Sequence, residues 1–592
     1  MKKRSFVIGA SILAIGGFLA KILGAFYKIP LTHILGANGM GIYYLVFPFY
    51  SLSLIIASSG ISVAVTRLVA VEREKYNKRT EQKVLKLALI MALGIALILV
   101  VFTICMAKPF SFLQGNANAQ ISYIAIAPAI VFASIVAVMK GYFQGVENMM
   151  PSSISLIIQQ GTRLVVGLFF AHQFMSYGMS YAVLGAIIGV TVSEFVAMCY
   201  LGIRYIRYKQ NEFYNFFEKR KDLNREKLKE LKCDICNQSK KNCYVLCKYN
   251  SCNNHNNLSP NIYYSNNKDC ISNREVLLKL VRYMIPSTLA NLVLPLAVFV
   301  DSFLVVNLLT DSGFTTSIAT SLYGMSNGIV SSLISLPTII ISAVSTSIVP
   351  NLSSSIELNS RDVVISKTNF FIKFAWLISL PMAVMFLLFS PEIIELLYGG
   401  GLTNKVIDEF DYSYRILAVS SISIIYNSFL YTFTAILNAF DKPHVPFYSQ
   451  CVGLVARTGL TFLLVSNPQF NVFGLLIANI VFLTISCIGC VVKIKEIVPL
   501  NLSIRRFFIV PIFSIVFVGC LGYAIKKVSI GLLPIWLQLG MIGGIMILMY
   551  VLFLLVLRTF TIKEWEYLPI PKRILKYLPQ KTKKITNKSS EI

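Results

Sequence analysis

Two stretches decide the fold: GYFQGVENMMPSSISLIIQQGTR over 141–163 and AILNAFDKPHVPFYSQCVGLVAR over 435–457. Each ends an apolar run on an acidic residue, sets a proline a few positions on, and opens a second apolar run with one arginine inside it. The interval is sixteen residues from Glu147 to Arg163 (163 − 147) and sixteen from Asp441 to Arg457 (457 − 441), while Pro151 and Pro446 differ by one position. Two fainter echoes accompany them. Gly185-x-x-x-Gly189 answers Gly474-x-x-x-Ala478, small residues that let helices approach closely in lipid. Gly60-Ile-Ser-Val-Ala-Val-Thr answers Ala343-Val-Ser-Thr-Ser-Ile-Val-Pro350. One plan is written twice.

The chain has 592 residues, 56% hydrophobic and 14% charged, where an ordinary soluble domain carries about 25% charged residues. That balance excludes a string of soluble domains, a disordered chain and a disulfide scaffold. A spanning helix needs roughly 20 mostly apolar residues. Such runs occupy 5–29, 41–70, 84–107, 119–140, 152–171, 181–203, 281–306, 320–350, 368–390, 411–440, 447–466, 472–494, 507–525 and 535–557. The expectation is an all-α, polytopic membrane protein of about 14 transmembrane helices: two six-helix lobes related by a pseudo-two-fold axis along the membrane normal, plus two extra helices. The segments are a first lobe over 1–206, an insert over 207–280, a second lobe over 281–495, spans 13 and 14 over 496–558, and a basic tail over 559–592.

The formal net charge of +27 does not require nucleic acid, because cytoplasmic loops of membrane proteins are rich in Lys and Arg. Arg73, Lys75, Lys78, Arg79, Lys83 and Lys86 fall on one predicted side, with Lys493, Lys495, Arg505, Arg506 and the tail. The opposite side carries little beyond Lys28, Lys108, Lys405, Lys526 and Lys527. The bias predicts a cell-membrane protein with both termini cytoplasmic. Met1-Lys2-Lys3-Arg4 before an apolar run is a first span rather than a signal peptide, since no small-residue cleavage site follows and Lys21 interrupts it.

The insert is rich in Lys, Asn and Glu, with a charged helix expected over roughly 212–232. Cys233-x-x-Cys236 and Cys252-x-x-His255 have the pair spacing of a tetrahedral zinc site. Leftover thiols at Cys243, Cys247 and Cys270 favour the plainer reading, a tolerated insertion whose cysteines stay reduced. No other metal or cofactor is implied.

Ionisable groups deep in a span cost several kcal/mol unless they face water or a partner. Arg163 and Arg457 lie roughly 15–17 Å into their helices, with Glu194 at similar depth, Lys21 past the middle of the first span and Asp301 near the outer third of the seventh. Lys21, Arg163 and Arg457 are candidates to line a polar cavity and hold an anionic headgroup, a diphosphate matching converging cations. The structural alternative pairs Arg163 with Glu194 and sets Arg457 on helix-end carbonyls. Glu194 and Asp301 are also ion-coupling candidates. Arg67, Lys140, Lys373 and Arg415 fall near span ends, where long side chains reach headgroups.

Lys21-Ile-Leu-Gly24-Ala-Phe-Tyr-Lys28, Gly36-Ala-x-Gly-Met-Gly41-Ile-Tyr and Phe47-Pro48 resemble the stage V sporulation protein B family, as do Tyr142-Phe-Gln-Gly-x-x-Asn148, Pro151-Ser and Ser345-Thr-Ser-Ile-Val-Pro350. That family sits beside the lipid II flippases in the multidrug/oligosaccharidyl-lipid/polysaccharide exporter superfamily. The resemblance covers nearly the whole chain except 204–280. It implies a headgroup-binding role for Lys21, the cation before a Leu-Gly pair, and a weaker match for Lys28. Further cations that the flippases use in their eighth span have no counterpart; Ser331, Ser332 and Ser335 stand there. It also implies a groove for a prenyl tail at spans 13 and 14.

A membrane enzyme acting on prenyl phosphates needs acidic clusters for Mg²⁺ or a nucleophile with its base. No Asp-Asp-x-x-Asp and no Walker-type loop occur, and only four His are present. The expected function is a flippase that carries an undecaprenyl-diphosphate-linked saccharide, such as a peptidoglycan precursor for spore cortex or wall, between leaflets by alternating access. The runner-up is a cation-coupled multidrug or other polysaccharide exporter, with a prenyl-phosphate glycosyltransferase third. The partners expected are the lipid-linked saccharide, membrane lipids and cell-wall synthesis proteins, with no nucleic acid.

Overall fold

In lipid a chain satisfies its backbone only as helices or a closed barrel, and this chain takes the first route. The computed structural model describes residues 2–74, 78–235, 272–358, 360–399, 402, 408–500, 503–529, 533–557, 559 and 564. Among these, the regular elements are helical. The first lobe holds α1 (Lys2–Leu54), α2 (Gly60–Glu74), α3 (Lys78–Leu113), α4 (Gln120–Gly145), α5 (Met149–Phe174) and α6 (Met179–Ile235). The second begins with α7 (Asn273–Asp311), α8 (Thr316–Tyr323), a π-helical turn (Gly324–Val330) and α9 (Ser331–Glu357). It continues through α10 (Arg361–Leu388), α11 (Ser390–Tyr398), α12 (Glu409–Ser420), α13 (Ile422–Ala439), α14 (His444–Val465) and α15 (Asn471–Ile497). The last two helices are α16 (Val510–Ser529) and α17 (Ile535–Val556).

Thirteen described runs are long and apolar enough to cross a membrane, and the first, Ile15–Arg73, has 59 residues. Straight, it would be about 88 Å long, roughly three hydrocarbon cores. It turns back at Gly36, whose φ of 61° and ψ of −173° interrupt the helix in a conformation that a Cβ would strain. Ser153 donates to the Ile12 carbonyl at 2.8 Å and Tyr27 packs on Gly167, so the first leg follows α5. Thr66 then donates to the Gly141 carbonyl at 3.0 Å and Val69 abuts Gly145, beside the turn into α5. The chain has crossed and returned, and the run counts as two spans, which restores fourteen. The expected tenth span is broken at Ser421, between α12 and α13.

The repeated turn is a helix stop. Asn148 N–H donates to the Phe143 carbonyl and Lys442 N–H to the Leu437 carbonyl, each at 2.9 Å. Between them Glu147 and Asp441 take φ of 61° and 55°. This is the left-handed C-terminal cap, placed identically in α4 and α13. The small-residue motifs also do one job twice: Gly189 lies against Gly167 of α5, and Gly474 against Leu464 and Val465 of α14.

The lobes share one core at one end and separate toward the other. A single buried cluster joins Leu35, Met40 and Leu45 of the first lobe to Leu322, Tyr323 and Ile329 of the second. Toward the end that holds the α4–α5 and α13–α14 turns, here the basic end, the core splits. One cluster gathers Val69, Val84, Val146 and Leu201, with Val276 and Leu280 of α7. The other gathers Leu352, Val364, Ala439 and Ile494. At the sealed end glycines let backbones touch: a Cβ on Gly41 would stand 2.1 Å from the Thr320 carbonyl oxygen, and one on Gly324 2.2 Å from that of Ala37.

α16 and α17 pack on the second lobe, Gly519 against Leu388 and Val384, and Gly543 against Met385. Lys526, one of the cations on the sparse side, pairs with Glu392. Lys373 departs from expectation: instead of reaching headgroups it is buried and donates to the Thr559 carbonyl and, at 2.9 Å, to the Glu564 carboxylate. The helix expected over 212–232 exists as the continuation of α6. Cys233 falls in its last turns, while Cys236, Cys252 and His255 lie outside the described residues.

Candidate functional site

The cleft between the lobes is bridged midway by Lys21 of α1. Its ammonium donates to Ser342 Oγ of α9 at 3.1 Å, and Ser342 passes a hydrogen bond to the Ile339 carbonyl at 2.8 Å. Lys21 is exposed although it sits at mid-span, and it has no acidic partner among the described residues. A lysine there is tolerable only where the space beside it is wet. Lys28, two turns on, lies half-buried with its ammonium 5.3 Å from the centre of the Tyr44 ring, a cation–π contact rather than an open charge.

The two arginines behave otherwise. Arg163 Nη2 lies 3.7 Å from Glu194 Oε1, the side chains 12% and 3% exposed, and Tyr50 donates its hydroxyl to the same oxygen at 2.9 Å. Arg457 Nη2 bonds Asp301 Oδ2, with side chains 7% and 1% exposed. The guanidinium lies 5.8 Å from the Phe482 ring centre. Each lobe therefore neutralises its own deep cation, between α5 and α6 in the first and between α14 and α7 in the second. Arg457 sits on a carboxylate rather than on helix-end carbonyls. The sequence therefore identifies the deep charges, while the fold brings them together as two neutral pairs and leaves Lys21 at the cleft.

Two features escape a sequence reading. Aromatic residues build the seal: Phe49, Phe110, Phe299 and Phe303 of both lobes meet with centroids 4.9–5.9 Å apart. Polar groups stitch the same end. Asn38 donates to Ser317 Oγ at 2.6 Å, Gln114 to Ser302 Oγ at 2.9 Å and Asn116 to Thr320 Oγ1 at 3.0 Å. Their only sequence signal is amides at the ends of apolar runs.

Comparison with known proteins agrees with this architecture. Residues 6–226 match the family of polysaccharide biosynthesis proteins, and residues 267–532 match the family named lipid II flippase MurJ. Stage V sporulation protein B of Bacillus subtilis (strain 168) is 22% identical over 97% of this chain and 100% of its own length. The lipid II flippase MurJ in an inward closed conformation superposes with a TM-score of 0.60 at 16% identity, covering 92% of this chain and 98% of that one. An inward-facing multidrug resistance MATE family transporter of the MOP superfamily gives 0.56 at 16% identity, over 80% of this chain and 95% of that one. The two solved structures are, by their names, a lipid II flippase and a multidrug transporter. The chain is thus a multi-pass, all-helical membrane protein with the fold of these two solved transporters, and resembles stage V sporulation protein B along nearly its whole length.

Proposed function

We propose that this chain is a flippase that carries an undecaprenyl-diphosphate-linked saccharide, a peptidoglycan precursor such as lipid II for spore cortex or wall, from the inner to the outer leaflet. In this reading both termini and the basic end are cytoplasmic, and the lobes open there to admit the headgroup. The observation that carries it is Lys21: a mid-membrane cation, exposed on the cleft and, among the described residues, bound to the opposite lobe only through a serine hydroxyl. A diphosphate entering the cleft replaces that weak contact with a charge-assisted one and, in doing so, exchanges a bond between lobes for a bond to cargo. Lys28 stands two turns nearer the seal as a second cation for the headgroup. Arg163 and Arg457 act behind the cleft walls, held by Glu194 and Asp301. The prenyl tail stays in lipid along α16 and α17, whose outward faces expose Phe513, Val516, Ile547 and Leu548. A cation-coupled drug exporter requires a carboxylate free to take up its ion, and Glu194 and Asp301 are each engaged by an arginine.

The test is flipping of fluorescent lipid II by the purified protein in liposomes, read by reduction of the outer-leaflet label. Lys21→Ala is expected to slow flipping by about 10- to 100-fold, the worth of one hydrogen bond to a charged group, with normal insertion and yield. A rate equal to wild type removes Lys21 from the site. A wild-type protein that does not move this lipid refutes the proposal.

A further inference from the structure

On α9, Ser331, Ser335, Thr338 and Ser342 follow one another at steps of four, three and four residues, which sets their hydroxyls on one helix face. The stripe begins at Ser342, where Lys21 bonds, and runs about 16 Å toward the sealed end. There it enters a cavity of about 240 Å³ inside the second lobe, lined by Ser331, Ser335, Thr338, Asn327, Asn427 and Arg457.

The wall of this cavity has a particular electrostatic character. Arg457 is its charged group among the described residues, and Asp301 behind it cancels that charge. An ion entering here would be uncompensated at membrane depth and strongly disfavoured. A neutral group rich in hydroxyls meets no such penalty. Two buried donors on the wall also lack hydrogen-bond partners among the described residues: Nε of Arg457, a residue 5% exposed, and Nδ2 of Asn327. Unpaired buried donors are costly, and both belong to residues of the cavity lining. Ser335 and Thr338 give their protons to helix carbonyls and keep oxygen lone pairs to accept with, while the lining amides both donate and accept, so the wall offers the mixture that a sugar ring presents in return.

We propose that this cavity is a saccharide subsite: it receives a neutral, hydroxyl-rich sugar unit of the cargo while Lys21 holds the diphosphate at the cleft, with the α9 stripe as the path between. The inference rests on the flippase reading and adds where the sugar lies. A stripe of hydroxyls rather than cations suits a glycan and not a second phosphate.

The test compares two probes on the full-length protein in lipid nanodiscs, undecaprenyl diphosphate and the same lipid bearing one N-acetylhexosamine. Wild type is expected to bind the sugar-bearing lipid about tenfold more tightly, the worth of one or two hydrogen bonds. Asn327→Leu, and separately Ser335→Ala with Thr338→Val, abolish that preference and leave the affinity for undecaprenyl diphosphate unchanged, which also shows that the variants are folded. Equal affinities in wild type, or a preference that survives both variants, overturn the subsite and leave a water-filled cavity. If wild type binds neither lipid, the flippase reading fails and the subsite with it.

Discussion

Asp301 offers the sharpest perturbation in the molecule. Its side chain is 1% exposed and bonds Arg457, 7% exposed, in the interior of the second lobe. Truncation to Ala does not merely delete a contact; it leaves a guanidinium buried with no counter-charge. Breaking a buried pair in this way costs about 3–5 kcal/mol, whereas replacing both partners with apolar groups of similar volume is close to neutral. Asp301→Ala is therefore expected to destabilise by about 3–5 kcal/mol, and Asp301→Leu with Arg457→Met to return within about 1 kcal/mol of wild type. Glu194→Ala should cost less, since Arg163 is 12% exposed at 3.7 Å and retains some access to water. Unfolding by dodecyl sulfate in mixed micelles measures all four proteins on one scale. An Asp301→Ala variant within about 1 kcal/mol of wild type, or a double variant less stable than the single one, refutes the claim that each lobe carries a self-neutralised pair.

Two further predictions concern the seal and the insert. Gly324→Val places atoms against the Ala37 carbonyl and the Gly41 backbone, an overpacking worth about 1–3 kcal/mol. A cysteine at buried Leu45 should then react with a maleimide in detergent-solubilised Gly324→Val but not in the otherwise wild-type background, and equal protection in both would show that the lobes are not held there by backbone contact. Elemental analysis of the purified protein is expected to find no stoichiometric zinc, with thiols at Cys233, Cys236 and Cys252 reactive; one zinc per chain would instead establish a site with His255.

The number of spans was legible because hydrophobic length is a local property, fixed by bilayer thickness and read residue by residue. The duplication was legible for a different reason. The acidic residue in each copy marks a left-handed helix stop, at Glu147 and Asp441, and a stop fixes the distance to whatever the next helix must present. Sixteen residues later both copies present an arginine at the same depth. The spacing thus recorded a geometry of caps and helix length rather than a shared chemistry. What a one-dimensional reading handled less well was helix continuity: nothing in 5–70 distinguishes a loop between spans from a single glycine turn, because the flanking residues are helix formers in both cases.

The charges show where such reading stops. Depth alone marks Arg163, Arg457, Glu194 and Asp301 as costly, and cost demands a partner, but depth cannot say which. Glu194 follows Arg163 in the adjacent helix, so their pairing was within reach of the sequence. Asp301 and Arg457 are 156 residues apart, and only the arrangement of α7 beside α14 joins them. Once both carboxylates are spent on arginines, the roles of the cations separate. Arg163 and Arg457 resist a change of partner, because drawing either toward a ligand strands a buried carboxylate. Among the described residues Lys21 has no carboxylate to strand and only a serine across the cleft to release. Of the three cations first expected to share one cavity, it is the one whose partner can be exchanged for an anion at small cost, and such an exchange would loosen the same contact that joins the lobes.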